Sequence, residues 1–436
     1  MFHTEVVSKM GVAIVAALCL STWSLAAETK ILRFDKIIDG TGETLAATDI
    51  AIKDGIIISV GSGLDQSLDG DLVALNGLTA LPGIIDAHTH ITYGLPSAPK
   101  GDAWAELGQA TKEERYQASL RNAMLSLKAG VTTVRDLNSS QNLDFELRDA
   151  INAGQIIGPR IFASGPGIHP FNDPLPDGVE EASAEFLFAA AQRRIDAGAD
   201  WIKIFGTTGS ASDLTSTPYY SAQAIAAAAR AAKAAGKRIT VHSYGPEAVD
   251  AAIAAGVTSL DHPVGISPDQ IKAMRDKGII YVPTIDHNRY YAQHASEYGY
   301  TPIIEQNLHA FVKRNIETVR TAHKAGVTIA MGSDAVMTGF GENTCELRAF
   351  VAAGLSNEDI IRTATVNGAK LLGKEAELGR IAEGYIADVI GVRGDPAADI
   401  EAIVSGVTLV VKAGTVVVDA RANTSEINKP DCGDLY

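Results

Sequence analysis

The middle of the chain, 82–372, alternates short apolar runs with Ala-rich stretches whose apolar residues repeat at helical spacing. Runs of the first kind are typical of buried strands, and stretches of the second kind are typical of amphipathic helices. Eight segments predict strands: 83–90, 132–137, 160–164, 201–205, 238–242, 259–262, 280–284 and 328–332. Eight strand–helix units predict an α/β fold of the (β/α)8 TIM-barrel class. A doubly wound open sheet is the alternative, but no Gly-rich phosphate-binding fingerprint follows the first strand.

Glycines mark the ends of the predicted helices. Helices are predicted at 222–235 and 247–255, ending at Gly236 and Gly256. An Ala-Gly or Lys-Gly pair precedes six of the strands, at 129–130, 197–198, 235–236, 255–256, 277–278 and 325–326. These repeated glycine-containing pairs support a regular alternation of strands and helices.

The two ends of the chain have a different pattern, in which short β-rich runs are separated by Gly and Asp turns. The runs are 31–34, 49–53, 55–60, 388–392, 403–404 and 408–419. Residues 412–415 lie between two Val-rich runs and predict a hairpin. We therefore expect one small β-sandwich domain built from 27–81 and 373–436, around a barrel domain at 82–372.

The N-terminus has the pattern of a secretory signal. Lys9 precedes an apolar run at 10–20, and 24–26 is a small-x-small cleavage site. We expect a signal peptide at 1–26 and export to the periplasm or the medium. A retained anchor is the less favoured alternative, because the run is short for a membrane span. Removal of the signal leaves Cys345 and Cys432, which could form one disulfide or remain two thiols.

Charge excludes several classes of partner. The 436 residues carry a formal net charge of -15 and contain no long Lys/Arg run. Such a surface argues against nucleic acid and, after signal removal, against an anionic membrane. A small-molecule substrate is the expected partner.

Potential metal ligands lie at the C-terminal ends of the predicted strands, on the face where barrel enzymes carry their chemistry. They are His88, His90, Lys203, His242, His262 and Asp334. His88 and His90 are two residues apart and would project to one face of a strand. Asp86 would lie deeper and support them. Taken singly, each histidine is also typical of a core position, and Asp334 is typical of a helix cap.

Lys203 indicates that these residues could bind two cations and not one. It shares a strand face with Trp201 and Phe205, and burial lowers the pKa of a lysine. The neutral amine is nucleophilic and could add carbon dioxide, giving a carbamate whose two oxygens can bridge two cations. A lysine paired with Asp86 or Asp334 is the alternative. Beside four histidines, the carbamate is the favoured interpretation.

These motifs resemble the amidohydrolase superfamily along essentially all of the mature chain. The resemblance rests on 81–90, 201–205, His242, 261–262 and 332–334. It implies two divalent cations, usually zinc: one held by His88, His90, Lys203 and Asp334, and the other by Lys203, His242 and His262. It also implies attack by a metal-bridging hydroxide, with Asp334 carrying the proton to the leaving amine. Related enzymes are often homo-oligomers, and we expect one here.

Two positions distinguish branches of this superfamily. The deaminase branch uses one metal, no bridging lysine, and a Glu where this chain has Gly245. Imidazolonepropionase-like members also lack the lysine. The segments 202–204, 242–244 and 282–284 are similar to the branch of Xaa-Pro dipeptidases, carboxypeptidase-like enzymes and ochratoxin-hydrolysing amidases. The loop 205–210 departs from the Ser-Gly-Gly version of that branch, so the resemblance does not define the substrate.

The resemblance implies cleavage of an amide next to a free carboxylate, in a dipeptide, an N-acyl amino acid or an ochratoxin-like amide. A mononuclear deaminase, a cyclic-amide hydrolase and a non-catalytic scaffold are the alternatives. The expected catalytic residues are Asp334, His262 and Tyr244. A carboxylate needs cations or hydroxyls, and the candidates are Tyr244, His287, Arg289, Tyr290 and His169. Arg289 could equally be a solvated loop arginine.

Overall fold

The structure, a computed structural model, describes residues 28–423, 425 and 427–434. The expected signal peptide, 1–26, lies outside these residues and stays a prediction. Within the described part of the chain, no helix combines the length and apolarity that a membrane crossing needs.

The described residues form an α/β structure. The strands are β1 Lys30–Ile37, β2 Asp49–Lys53, β3 Ile56–Gly61, β4 Asp71–Pro82, β5 Ile84–Thr89, β6 Val131–Asp136, β7 Arg160–Ala163, β8 Trp201–Phe205, β9 Arg238–His242, β10 Ser259–Asp261, β11 Ile280–Val282, β12 Val389–Arg393, β13 Val407–Lys412 and β14 Thr415–Asp419. The α-helices are α1 Ala103–Gln109, α2 Lys112–Lys128, α3 Leu143–Asn152, α4 Ala184–Asp196, α5 Ala222–Ala234, α6 Val249–Ala255, α7 Pro268–Lys277, α8 Ile285–Gln293, α9 Pro302–Lys324, α10 Glu346–Ala352, α11 Asn357–Ala364, α12 Val366–Leu372 and α13 Glu401–Val404.

Strands from both ends of the described chain share one seven-stranded mixed sheet, in the order β14-β13-β12-β4-β1-β2-β3. Its apolar face buries a cluster that includes Phe34, Leu75 and Leu409. The hairpin expected at 412–415 joins β13 to β14, with Ala413 and Gly414 at positive φ. The β-rich run expected at 403–404 is instead the last part of α13.

The middle of the chain contains two parallel sheets, β5-β6-β7 and β8-β9-β10-β11. An isolated bridge between Ile168 and Ile204 links the segment after β7 to β8. The glycines of all six Ala-Gly or Lys-Gly pairs have a positive φ, between 66° and 96°. The left-handed backbone that glycine adopts readily therefore precedes five of the seven parallel strands and also the segment 328–332.

The eighth expected strand, 328–332, is present as isolated contacts and not as a regular strand. A bridge joins Tyr281 to Ile329, and another joins Thr89 to Ala335. Between these bridges, the Met331 amide donates to the Thr363 carbonyl, and Asp334 has a positive φ of 54°. The backbone donors of this segment are thus shared between β11, β5 and groups outside the sheet, which interrupts a ladder.

Cys345 and Cys432 form a disulfide across a sequence separation of 87 residues. The bridge fastens the 427–434 segment beside the start of α10, and both cysteines are buried. The Asp431 carbonyl also accepts a hydrogen bond from Arg289 at 3.1 Å. The question that the sequence left open is answered in favour of a bridge.

Cys432→Ser should lower the free energy of unfolding by about 2–4 kcal/mol, because a long loop is no longer closed in the unfolded chain. Guanidinium unfolding under non-reducing conditions measures this, with dithiothreitol-treated wild type as the control that should match the variant. An unchanged midpoint in both would contradict the bridge.

Candidate metal centre

The six predicted ligands converge at the C-terminal ends of the parallel strands. His88 lies in β5, Lys203 in β8 and His242 at the end of β9, while His262 directly follows β10. Asp334 enters from the segment after 328–332. Since the carboxyl ends of parallel strands meet at one edge, residues far apart in sequence become neighbours there.

The Asp334 carboxylate lies close to four histidines. Its Oδ1 lies 3.0 Å from His90 Nε2 and 3.5 Å from His88 Nε2. Its Oδ2 lies 3.4 Å from His287 Nε2 and 3.8 Å from His262 Nδ1. Burial alone would raise the pKa of Asp334, but the surrounding histidines hold it well below its usual range. The carboxylate is therefore ionised in the folded protein.

Lys203 lies beside a different carboxylate from those that the sequence suggested. Its Nζ is 3.4 Å from Asp261 Oδ2, and His88 Nδ1 is 3.2 Å from the same oxygen. The lysine is 1% exposed, and burial lowers the pKa of its ammonium below the ordinary value. A buried amine of lowered pKa is the species that carbon dioxide can modify.

Arg135 is a component of the site that the sequence analysis missed. Its guanidinium donates to Asp261 Oδ1 at 3.1 Å and to Ser259 Oγ at 3.0 Å, and its Cζ lies 4.5 Å from the centre of the Trp201 ring. Burial would raise the pKa of Asp261, but Arg135 and then Lys203 hold it well below its usual range. An arginine within the predicted strand 132–137 was the available signal.

Asp86 supports the segment that carries Asp334. It accepts hydrogen bonds from Ser333 N at 2.9 Å, Ser333 Oγ at 2.6 Å and Asn343 Nδ2 at 2.9 Å. Burial raises its pKa to about 6. These bonds bend the backbone just before Asp334, whose φ is 54°.

Four non-glycine residues that follow strands at the site have a positive φ: Asn138, His262, Thr284 and Asp334. Such residues are uncommon and cost about 1–3 kcal/mol each. His262 Nδ1 lies 2.7 Å from Thr284 Oγ1, so two of the strained residues hold each other. The packing around the site stabilises a backbone that would otherwise relax.

Several polar atoms at this convergence have no hydrogen-bond partner within the described residues, although they are buried. They include His90 Nδ1 and His242 Nε2, while Asp334 Oδ1 faces only histidine ring nitrogens. Buried polar atoms without partners are costly. Burial lowers the pKa of His88 to about 4, which keeps its ring neutral as metal ligation requires. One ligand atom each from His88, His262 and Asp334 lies within 4.8 Å of the others. These residues fit a bound cation.

A cavity of about 340 Å³ opens above the cluster. Five aromatic side chains line it: Tyr93, Trp104, Phe205, Tyr244 and Tyr291. The loop 209–212, which follows β8, lines another side. A cavity with an apolar wall and a polar floor is typical of a small-molecule site.

Of the expected substrate-binding residues, Tyr244 and His287 line this cavity, whereas His169, Arg289 and Tyr290 do not. Arg289 is buried against Asp286, with Nε 2.6 Å from its Oδ1, and also contacts Glu342. The sequence treated this region as a loop, but it forms α8. Positions 287 and 291 share one helical face, so Tyr291 reaches the cavity where Tyr290 does not.

His169 lies outside the cavity lining, between two rings. Its ring centre is 4.8 Å from that of Phe205 and 5.0 Å from that of Tyr219. Its Nδ1 accepts a hydrogen bond from the Phe171 amide at 3.0 Å. These contacts give His169 a role in packing the wall behind Phe205.

Comparison with known proteins agrees with this architecture. The family model described as "Amidohydrolase family" matches residues 79–417, which include all six converging ligands. The chain belongs to the amidohydrolase family. The assignment indicates a hydrolase that acts on carbon–nitrogen bonds, and the solved members imply a TIM-type barrel for the parallel strands.

Three amidohydrolase relatives span most of the chain. A crystal structure of a Xaa-Pro dipeptidase with methionine bound in its active site has a TM-score of 0.78 and 30% identity, covering 89% of this chain and 100% of the other. Ochratoxinase of Aspergillus niger is 29% identical over 414 residues, covering 86% of this chain and 83% of the relative. Imidazolonepropionase of Kosmotoga olearia is 25% identical over 410 residues, covering 85% and 90%.

Arg135→Met should lower the free energy of unfolding by about 3–5 kcal/mol, because it leaves the Asp261 carboxylate buried without its guanidinium. Arg421→Met is the matched control. It removes an arginine of the exposed pair with Asp419 and should cost less than about 1 kcal/mol. Urea unfolding compares the two, and equal losses would contradict the importance of the buried pair.

Proposed function

We propose that this amidohydrolase uses two divalent cations, held on a carbamylated Lys203, to cleave an amide bond next to a free carboxylate. The observation that carries the proposal is the convergence of four histidines, Lys203 and Asp334 on the floor of a substrate-sized cavity, with several ligating atoms unpaired. The Xaa-Pro dipeptidase and ochratoxinase relatives support the choice of bond.

The ligands divide into two groups around Lys203. His88, His90 and Asp334 would hold one cation, and His242 and His262 the other, with the carbamate shared between them. Divalent ions, zinc by preference for this donor set, polarise a carbonyl and make water a nucleophile near neutral pH when they are bound. Carbamylation forms a bond from Nζ to the carbon of carbon dioxide, and the nitrogen loses a proton to solvent.

The side chains then have distinct roles. Asp334, ionised and central, would take a proton from the nucleophile and pass it to the leaving amine. His262, held by Thr284, lies beside Asp334 and would help to orient the reacting group. Tyr244 lines the cavity with its hydroxyl 3.3 Å from Asn288 Nδ2, in position to bind substrate oxygen. His287 touches the backbone and side chain of Asp334 and fixes its orientation.

A mononuclear deaminase or cyclic-amide hydrolase is the second candidate. It is favoured by one observation: the tightest potential metal group in the described residues has three members, His88, His262 and Asp334. The imidazolonepropionase relative points the same way. Against it, Lys203 lies buried between both histidine groups, and Gly245 stands where deaminases carry a Glu.

We also propose a domain organisation, a location and an oligomeric state for the protein. The bridges at Ile168, Tyr281 and Thr89 would complete a (β/α)8 barrel over 82–372, with the seven-stranded sheet as a small β-sandwich beside it. We also propose that the protein is exported and that the signal peptide, 1–26, is removed. The Cys345–Cys432 disulfide supports export, because disulfides persist in oxidising compartments. A homo-oligomer is proposed on family resemblance alone.

Lys203→Ala should reduce bound zinc from two ions per chain to at most one, because it removes the group that both cations share. Metal analysis of the purified, zinc-loaded protein measures this. Lys412→Ala is the matched control, since burial also lowers the pKa of that lysine, to about 8, but it lies in the seven-stranded sheet. One ion per chain in wild type, unchanged by Lys203→Ala, would establish the mononuclear alternative.

A screen of N-acyl amino acids and dipeptides with added zinc, including proline and phenylalanine amides, tests the reaction itself. We expect hydrolysis of at least one carboxylate-bearing amide. Asp334→Asn should retain part of the metal but lose most of the turnover, which excludes a contaminating hydrolase. Near-wild-type turnover by that variant, or no hydrolysis of any amide, would refute the proposed function.

A further inference from the structure

The described residues that line the cavity include no lysine or arginine that is free to bind a carboxylate at the cavity wall. Among its lining residues, the only lysine or arginine is Lys203, which lies on the floor beside Asp261. Arg289, the cation that the sequence suggested, is held between Asp286 and Glu342. Recognition of a substrate carboxylate at the cavity wall therefore falls to neutral hydrogen-bond donors.

Tyr93 carries such a donor. It stacks on His90, with ring centres 5.0 Å apart and an angle of 15° between the planes, and lines the cavity beside Trp104. Its hydroxyl oxygen lies 2.7 Å from Asn138 Nδ2. The direction of this hydrogen bond decides where the phenolic proton points.

The direction follows from the other side of Asn138. The Gly167 amide, which can only donate, lies 2.9 Å from Asn138 Oδ1. Asn172 Nδ2 is 3.1 Å from the same oxygen. The carboxamide oxygen must therefore face Gly167, and the NH2 group must face Tyr93. Tyr93 accepts this hydrogen bond, and its own proton has no acceptor among the described residues.

We propose that Tyr93, oriented by Asn138, donates a hydrogen bond to the carboxylate of the substrate and determines specificity for carboxylate-bearing amides. This inference rests on the proposed function and adds a residue to it. Tyr93 is the specificity-determining group, and Asn138 is a positioning residue that keeps the phenolic proton directed away from itself.

Asn138→Asp tests the orientation without removing the phenol. An aspartate accepts but does not donate, so it would draw the Tyr93 proton onto itself. The backbone tolerates the change, because Asn138 has φ 83° and aspartate, like asparagine, adopts this region more readily than most residues. Its second oxygen can still accept from Gly167.

The zinc-loaded full-length protein is assayed with N-benzoyl-L-phenylalanine. Tyr93→Phe should raise KM by about tenfold and leave kcat within about twofold, because a lost hydrogen bond to a charge weakens binding. Asn138→Asp should do the same, and the double variant should be no worse than Tyr93→Phe alone. Tyr116→Phe, in α2 and outside the cavity, should match wild type.

A binding measurement separates this inference from the proposed reaction. Isothermal titration compares L-phenylalanine with L-phenylalaninamide on the same proteins, without turnover. Wild type should prefer the acid, and Tyr93→Phe should lose about tenfold of that preference. Absence of hydrolysis with this result would sink only the proposed reaction. The role of Tyr93 would be overturned if Tyr93→Phe lowered kcat at constant KM. It would also be overturned if the effects of Tyr93→Phe and Asn138→Asp multiplied in the double variant, or if wild type did not prefer L-phenylalanine to L-phenylalaninamide.

Discussion

A single buried carboxylate, Asp261, ties together the strands that build the site. It contacts Arg135 from β6, Lys203 from β8 and His88 from β5, while it belongs to β10 itself. No member of this group is more than 1% exposed. Isolated charges are costly in such an interior, so the group is stable only when all its partners are present. The positions of His88 and Lys203 depend on it.

The charge balance of the floor explains why modification and metal binding would accompany each other. With neutral histidines, the two cations Arg135 and Lys203 face the two carboxylates Asp261 and Asp334. Carbamylation of Lys203 would leave one positive charge against three negative ones. Two divalent cations would reverse that excess and would satisfy the unpaired ring nitrogens. The carbamate and the metals would thus each stabilise the other.

Sequence reasoning reached the strand order and the converging ligands, because strand periodicity places ligands at strand ends and parallel topology brings those ends together. It did not find Arg135, whose partner lies on a strand more than a hundred residues away. Arg289 and Tyr290 are predicted from the sequence to bind substrate on the expectation of a loop, but this segment forms α8. The helical periodicity of α8 decides which of its side chains face the cavity. Strand eight was expected as regular, but Asp86 and Thr363 take up part of its hydrogen bonding. Such long-range polar pairings have no periodic signature in a sequence.

The proposed site is a two-cation centre built on a modified Lys203. A crystal structure of the zinc-loaded protein grown with bicarbonate, with anomalous data collected at the zinc edge, tests it most directly. We expect two anomalous peaks, with continuous density for a carboxylate on Lys203 Nζ between them. A single peak among His88, His262 and Asp334, with an unmodified lysine still paired to Asp261, would contradict it.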